Sequence, residues 1–280
     1  MSRALLIGLI LVLTACSPSE DTVAPGAVAK VVKTAPANAT TGEVPGRRKI
    51  IIAADPWCPH NCAAGDNLEG YMVEIAREAF ALAKLDIEYV NMSWARALQQ
   101  ANDGHIDGVV GAFKGDAPDF IFPDEPSGYS QTTLYTHPDS SWTWQGVESL
   151  RHQTLLAING YSYSPELDAY ILANQDNSEQ VWVISGPSPL DRAIELLEQG
   201  RSDVFPEDRR VMTWALNHQS RGVSLRVAGQ FPKSPVYIAF SPINPASSEL
   251  ATTLSKGIFK LRDSGRLEQI LARYGLSWSD

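Results

Sequence analysis

The chain has few of the residues and motifs that usually identify an enzyme, a metal site or a nucleic-acid-binding protein. Its 280 residues include only three cysteines and five histidines, and no histidines are paired at metal-ligand spacing. No G-x-S-x-G, H-E-x-x-H, P-loop or G-x-G-x-x-G motif is found. The net charge is −9, and no basic patch is interleaved with aromatic residues. These absences disfavour catalysis and nucleic-acid binding, and they indicate neither a metal nor a cofactor.

Long apolar runs are scarce too, and the N-terminal one is short. Arg3 precedes an apolar run over residues 4–13, which is too short for a permanent membrane span and is typical of a cleaved secretory signal. The next residues, Leu-Thr-Ala-Cys, resemble the lipobox of bacterial lipoproteins, which implies a signal peptide over residues 1–15 and lipidation of Cys16. Ser17 resembles the residue that directs lipoproteins to the outer membrane. An ordinary signal peptide with an incidental cysteine is the alternative.

Residues 16–48 are rich in Ala, Pro, Thr, Gly and Val without apolar periodicity, which predicts a flexible tether. The two other cysteines, Cys58 and Cys62, are separated by three residues. In an exported protein such a pair is expected to close a small disulfide loop. Metal binding is the alternative, although only His60 and Asp66 offer further ligands nearby.

One pattern occurs twice in the folded part. Each copy has a helix opened by alanine, a glycine seven residues later, an aspartate three residues after the glycine, and then a strand. These residues are Ala97, Gly104 and Asp107 in the first copy, and Ala193, Gly200 and Asp203 in the second. Helix, glycine stop, turn and strand form the closing half of a βαβ unit. The repetition predicts two similar α/β lobes with a cleft between them, coincidence being the alternative. We expect both aspartates to hold turns rather than a ligand.

Apolar runs and helix signals alternate along the rest of the chain. Short apolar runs predict strands over residues 49–54, 87–91, 109–113, 132–136, 155–158, 181–184 and 236–241. Helical spacing of apolar residues, or a Ser-Pro start, predicts helices over residues 70–84, after Ser188, over 211–218, and twice after Ser247. This alternation indicates a parallel-type α/β fold.

Several segments together carry a family resemblance. The loop over residues 55–60 has an aromatic, one residue and a proline, and residues 70–75 read Gly-aromatic-x-x-Glu-Ile. Residues 94–110 follow a Trp-x-x-x-Leu…Gly…Asp-Gly pattern, and residues 237–241 and 261–275 follow a C-terminal signature. In this order, the segments resemble the family 3 bacterial extracellular solute-binding proteins, the periplasmic amino-acid-binding type.

The resemblance implies a type II periplasmic-binding-protein fold. Two Rossmann-like α/β lobes are joined by two crossing strands and close on a ligand by hinge motion. Lobe 1 is expected to comprise residues 49–136 plus 239–280, and lobe 2 residues 137–238. The implied protein is a monomer in the periplasm, held to a membrane only by its lipid anchor, with the outer membrane favoured.

The resemblance also implies ligand-binding residues. Trp57 stands where the family has an aromatic platform, Asp208 where a carboxylate receives the ligand's ammonium group, and Ser162 near groups that hold its carboxylate. The predicted set is Trp57, Glu74, Trp94, Lys114, Tyr161, Ser162 and Asp208. For Trp57 and Trp94 the alternative is packing in the protein, and for Asp208 it is a solvated charge at a helix start.

The sequence departs from the family where amino-acid binders carry an arginine after the third strand. In the matching segment the only cation is Lys114, and Asp119 stands at the arginine's place. Lysine is a point charge rather than a bidentate fork, which argues against an ordinary α-amino acid. A cationic, neutral or aromatic ligand is favoured instead, with Trp57, Trp94 and Tyr161 available for stacking.

The predicted function is capture of a small polar solute, amino-acid-like or amine-like, for an inner-membrane permease or a sensor protein. Two alternatives stay open: a periplasmic enzyme on the same scaffold, and an envelope scaffold protein with a degenerate cleft. Replacing Trp57 or Asp208 by alanine is expected to abolish binding, and unchanged affinity in both variants would contradict these assignments.

Overall fold

The computed structural model describes residues 49–186, 188–218 and 222–278. The predicted signal peptide, the tether and the lipidation site at Cys16 lie outside the described residues. Within these ranges, no helix has the length and hydropathy needed to cross a bilayer.

Strands and helices alternate through most of the described chain. The strands are β1 (Lys49–Ala54), β2 (Asp86–Asn91), β3 (Gly108–Ala112), β4 (Gly128–Ser130), β5 (Thr132–Thr136), β6 (Leu155–Ile158), β7 (Val181–Ile184), β8 (Phe205–Asp208), β9 (Arg226–Gln230) and β10 (Ser234–Phe240). The helices are α1 (Tyr71–Ala81), α2 (Trp94–Asn102), α3 (Pro165–Asn174), α4 (Pro189–Glu198), α5 (Arg209–His218), α6 (Ser247–Asp263) and α7 (Arg266–Ala272), with a short 3-10 helix at Val147–Leu150.

The first lobe is built on a five-stranded sheet with the order β2-β1-β3-β10-β4. Strand β1 pairs in parallel with β2 and β3, whereas β10 runs antiparallel to β3 and β4. Residues of α1, α6 and α7 form one hydrophobic cluster with the sheet, and residues of α2 form another. Because helices cover both faces, the central strands are apolar runs rather than alternating patterns.

The second lobe contains two smaller sheets. Strands β8, β5 and β9 form an antiparallel sheet in that order, and β6 pairs in parallel with β7. A parallel bridge between Leu155 and Val204 connects β6 to the residue before β8. The chain passes between the lobes from β4 to β5 and from β9 to β10, and the lobe boundaries predicted above stay predictions.

The repeated pattern ties strands together in both lobes. Asp107 accepts a hydrogen bond from the amide of Ile51 at 2.8 Å, and Asp203 accepts one from the amide of Thr154 at 2.7 Å. Each aspartate therefore links the turn after its helix to the neighbouring parallel strand. The structural role that the sequence predicted for both residues is confirmed.

Candidate functional site

The loop after β1 is held in a fixed shape. The Cys58–Cys62 disulfide closes it, as predicted, and the amide of Trp57 donates to the carbonyl of Asn61 at 2.6 Å. Helix α1 starts against this loop at Gly70, where φ is +101° and a Cβ atom would lie 2.3 Å from the Asn61 Cα. Only glycine can take this place. The loop thereby presents the Trp57 ring and the Asn61 amide to the space between the lobes.

A cavity lies between the lobes and brings five of the predicted residues together. Its wall includes Trp57, Trp94, Tyr161, Ser162 and Asp208. Trp94 also packs with α2 and is only 5% exposed, so it belongs both to the core and to the cavity wall. The space open to the centre of a water molecule is about 30 Å³, room for roughly two waters.

Glu74 and Lys114 lie outside this cavity. The Glu74 carboxylate accepts hydrogen bonds from Arg273 and from the Tyr274 hydroxyl, so it joins α1 to the C-terminal segment. Lys114 is exposed, and its Nζ lies 5.3 Å from the centre of the Tyr237 ring. Ligand contact by these two residues stays a prediction, and neither is carried into the site proposed below.

Hydrogen bonds join the lobes across the cavity. Trp57 Nε1 donates to Glu207 Oε1 at 2.8 Å, and the Tyr161 hydroxyl donates to Asp55 Oδ2 at 2.7 Å. Burial holds the pKa of the Tyr161 hydroxyl well above its usual value, so the group stays protonated and acts as a donor. The Trp57 ring also stacks on His60, with centroids 4.2 Å apart.

Asp208 is buried, and both of its oxygens are engaged. Oδ1 accepts from the amides of Arg210 and Val211 at 2.8 and 2.9 Å, so the residue caps α5. Oδ2 accepts from the amide of Gln131 at 2.8 Å, and His60 Nε2 lies 3.1 Å from Oδ1. Burial acts to raise the pKa of Asp208, but His60 and these amides hold it below its usual value. Four protein groups thus already bind the carboxylate that the sequence assigned to a ligand ammonium group.

Three other carboxyl groups line the cavity, and each has a pKa above its usual value. Loss of hydration on burial raises the pKa of Glu207 to about 8, that of Asp116 to about 7 and that of Asp55 to about 6. Among the described residues of the wall there is no lysine or arginine to balance these groups.

The unused polar atoms that share this wall are acceptors. Glu207 Oε2, Asp116 Oδ1 and Asn61 Oδ1 are buried and have no hydrogen-bond partner in the described part of the chain. The Asn61 amide is oriented by the Asp55 carbonyl, which accepts from Nδ2 at 2.7 Å. Its Oδ1 therefore points the other way, toward Gly111, where an added Cβ atom would lie 3.3 Å away.

Three of the predicted site residues that can donate hydrogen bonds already do so. Trp57 and Tyr161 donate across the cavity, and the Ser162 hydroxyl donates to Asp168 Oδ2 at 2.6 Å. The sequence placed Ser162 near the ligand's carboxylate, but its hydroxyl hydrogen is directed to another acid. A molecule entering the cavity therefore meets residues whose carboxyl and amide oxygens have no partner.

Sequence reasoning did not select Asp55, Asn61, Asp116 and Glu207, which line the cavity. It also did not select His60, which contacts Trp57 and Asp208 from behind the wall. A signal for Asp55 was available, because it directly follows a predicted parallel strand and ligand sites in α/β sheets form at the carboxyl ends of strands. No such signal distinguishes Glu207 from its neighbour Asp208, since the difference lies in which hydrogen bonds each acid already makes.

Solved structures share this fold. A histidine kinase sensor domain with similarity to periplasmic binding proteins is 20% identical, with a TM-score of 0.65 over 81% of this chain and 96% of that chain. The amino acid ABC transporter substrate-binding protein AbpA from Streptococcus pneumoniae, bound to L-arginine, is 19% identical, with a TM-score of 0.61 over 81% and 94%. A protein of glutathione import via GshT and the cystine importer TcyBC of Streptococcus mutans is 18% identical, with a TM-score of 0.68 over 83% and 97%.

Comparison with curated protein sequences finds no match. The family comparison does: residues 50–277 match the bacterial extracellular solute-binding proteins, family 3. This range contains all of the cavity residues described above. Together with the structural neighbours, the match confirms the predicted two-lobed, type II periplasmic-binding-protein fold. The chain therefore belongs to the bacterial extracellular solute-binding proteins, family 3.

Proposed function

We propose that this protein captures a small cationic solute of the amine type in the cleft between its lobes. The observation that carries the proposal is the imbalance of the cavity wall. Four carboxyl groups line it, those of Asp55, Asp116, Glu207 and Asp208, and the described wall residues include no lysine or arginine. Family membership supports the capture of a solute as such, and the wall supports the sign of its charge.

The same wall argues against a zwitterionic α-amino acid as the ligand. Proteins hold a carboxylate with hydrogen-bond donors, most strongly with the bidentate fork of arginine. Here three of the predicted donors already bond to acids of the protein, and Lys114 lies outside the cavity. Burying a charged group without partners costs more than the roughly 1–3 kcal/mol of a neutral polar group. An amine without an α-carboxylate avoids this cost.

Aromatic rings supply the second component of recognition. The Trp57 ring is half-buried, with its edge contact to Phe113 at a centroid distance of 6.4 Å. Trp94 and Tyr161 line the same cavity. Ring faces attract ammonium and guanidinium groups, by about 0.5–2 kcal/mol depending on desolvation. Rings beside carboxyl groups therefore favour a cation with some apolar surface.

We propose that the ligand enters when the two lobes turn apart about the two connections between them, from β4 to β5 and from β9 to β10. Opening separates Trp57 from Glu207 and Tyr161 from Asp55, because each pair joins the two lobes. On closure the Glu207 carboxyl group can exchange the tryptophan N–H for an N–H of the ligand. Hinge motion of this kind is the usual mechanism of two-lobed binding proteins.

The proposal includes a location and partners. We propose that the protein acts as a periplasmic monomer anchored by lipid at Cys16, with the outer membrane favoured over the inner one. It delivers its ligand to an inner-membrane permease or reports it to a sensor protein. The structural neighbours support both roles, since they include a transporter's substrate-binding protein and a kinase sensor domain.

A thermal-shift screen of the purified full chain tests the proposed ligand class. The panel contains five amines (putrescine, cadaverine, agmatine, histamine and tyramine), a set of α-amino acids and a set of organic acids. A ligand at about a hundred times its Kd adds about 2.7 kcal/mol to the free energy of unfolding. We expect at least one amine to raise the Tm and the organic acids to leave it unchanged. No shift with any amine would contradict the proposal.

The protonated acid in the cleft also favours a second candidate, an enzyme on the same scaffold. Burial raises the pKa of Glu207 to about 8, and a carboxyl group that is protonated near neutral pH can act as a general acid. Long incubation of the protein with the bound amine distinguishes the two candidates. Recovery of the amine unchanged supports capture, whereas a product that disappears in Glu207→Gln supports catalysis.

A further inference from the structure

Three residues of the cavity wall each have one oxygen without a partner, and they come from three separate segments. Asn61 lies in the loop after β1, Asp116 in the loop after β3, and Glu207 in β8 of the second lobe. Glu207 and Asn61 are 2% and 1% exposed, so water hydrates neither of them as it would at the surface. Unpaired polar atoms in such places are costly and require a partner. One partner that bonded all three would join both lobes.

The number and type of these atoms match one chemical group. A primary ammonium group has three N–H donors and no acceptor, and the three oxygens are all acceptors once the two acids are ionised. A metal ion is the competing cation for such oxygens. Within the described ranges, however, no group of three or more His, Cys, Asp and Glu side chains is arranged to hold one.

The groups around the two acids carry negative charge or none. Glu207 is faced by Asp55 and Asp208 and by the hydroxyls of Tyr135, Tyr161 and Tyr163, and Asp116 is faced by Asp168. Basic residues near Glu207 lie on the side of Asp208. His60 contacts Asp208, and Arg209 and Arg210 are the first two residues of α5. Desolvation and this surrounding raise the pKa of Glu207 to about 8 and that of Asp116 to about 7. Without a cation, the two acids therefore hold protons near neutral pH.

We infer that the ammonium group of the ligand is bound by Glu207, Asp116 and Asn61, and that its binding releases protons from the two acids. The inference rests on the proposed function and goes beyond it by naming the ammonium-binding atoms and a dependence of affinity on pH. A protonated carboxyl oxygen is a donor and opposes an N–H donor, so each acid must lose its proton when it accepts from the ligand. The protons go to the solvent, and the ligand keeps its own.

The sign of the pH dependence follows from linkage. Binding prefers the ionised acids, so affinity is weak at low pH and rises as pH increases through their raised pKa values. Each released proton makes Kd about tenfold smaller per pH unit. The rise ends above about pH 8, where both acids are already ionised in the free protein. An amine keeps its charge over this range.

Calorimetry of the full chain with the amine of the panel that gives the largest thermal shift tests the inference. Titrations in two buffers of different ionisation enthalpy give the number of protons released. We expect about one to two protons near pH 7. Binding to Glu207→Gln should release about one proton fewer than binding to wild type. Asp116→Asn should also lower the number of protons released, by less. Glu198→Gln, at an exposed position, serves as the matched control.

The possible outcomes separate the inference from the proposed function. Binding without proton uptake or release, and with a Kd that does not change with pH, overturns the inference and leaves amine capture intact. Absence of binding by every amine overturns both. Proton release that persists unchanged in Glu207→Gln and Asp116→Asn overturns the assignment to these two residues.

Discussion

Glu207→Gln is expected to weaken amine binding by about 100-fold near pH 8, which corresponds to about 2.7 kcal/mol. The substitution keeps the shape of the side chain and removes the charge that the ammonium group would meet in a buried site. Glu207 is 2% exposed, so solvent screens this interaction little. The Kd measured by calorimetry for wild type and variant gives the result. An unchanged Kd would contradict the role proposed for Glu207.

The same variant is expected to be more stable than wild type at alkaline pH. The folded-state pKa of Glu207 is raised to about 8 by burial, above an unfolded value near about 4.3. Stability is therefore highest below the unfolded value and is lost as pH rises through the folded one. Glutamine has no proton to lose, so the Tm of the variant should exceed that of wild type near pH 8. Each kcal/mol gained in the free energy of unfolding raises the Tm by about 2–4 °C.

Glu198→Gln is the control for both results, because Glu198 is exposed at the end of α4 in the same lobe. It makes the same chemical change away from the cavity and should alter neither Kd nor the pH dependence of Tm. A Tm of Glu207→Gln that falls below wild type at alkaline pH would mean that the carboxylate is stabilised by its surroundings, contrary to our description.

Asp208→Ala is expected to lower the free energy of unfolding by about 3–5 kcal/mol. The substitution removes the cap of α5 and leaves the amides of Gln131, Arg210 and Val211 without their acceptor. It also leaves Nε2 of the buried His60 ring without its partner. Chemical denaturation monitored by circular dichroism measures the change, with Asp176→Ala as an exposed control in the same lobe.

This result distinguishes a structural aspartate from a ligand-binding one. Asp208→Asn keeps one oxygen for the helix cap and should lose less stability than Asp208→Ala. If Asp208→Ala instead folds as stably as wild type and loses only ligand affinity, then Asp208 receives the ligand directly, as the family resemblance implied. In that case Asp208 would bind the ligand, and the role that we propose for Glu207 would be wrong.

Much of the fold could be predicted because burial leaves a strong pattern in the sequence. Strands β1, β5, β6 and β7 match their predicted bounds to the residue, since each is a short apolar or β-branched run buried between other elements. Strand β9 was missed because only Ala228 among its residues is buried. Helix α3 was missed because Leu167 is its one buried residue, which leaves no apolar face to detect.

Helix α3 did carry another signal that could have been used. Ser164 precedes Pro165, and its hydroxyl accepts from the amide of Leu167 at 3.3 Å. The same Ser-Pro pattern predicted α4, where Ser188 stands at the cap position but makes no side-chain capping hydrogen bond. Local chemistry thus marks a helix start without fixing which hydrogen bonds form there.

Only those residues of the candidate site that match a family pattern could be predicted from the sequence. Trp57 and Asp208 could be placed at the cleft by resemblance, and both line the cavity. Whether Asp208 or Glu207 is available to a ligand depends on hydrogen bonds to residues that are distant in sequence, such as Gln131 and Trp57. Tertiary contacts of this kind leave no pattern in one sequence.

If the cleft binds a cation without an α-carboxylate, as we propose, it must distinguish an amine from the amino acid that differs from it by that group alone. Calorimetry of the full chain with a matched pair, agmatine and arginine, or the corresponding amine and amino acid for another hit of the panel, changes only the carboxylate. The cavity wall, with its four carboxyl groups, predicts that the amine binds at least about 100-fold more tightly than the amino acid. Equal affinity, or tighter binding of the amino acid, would contradict the account.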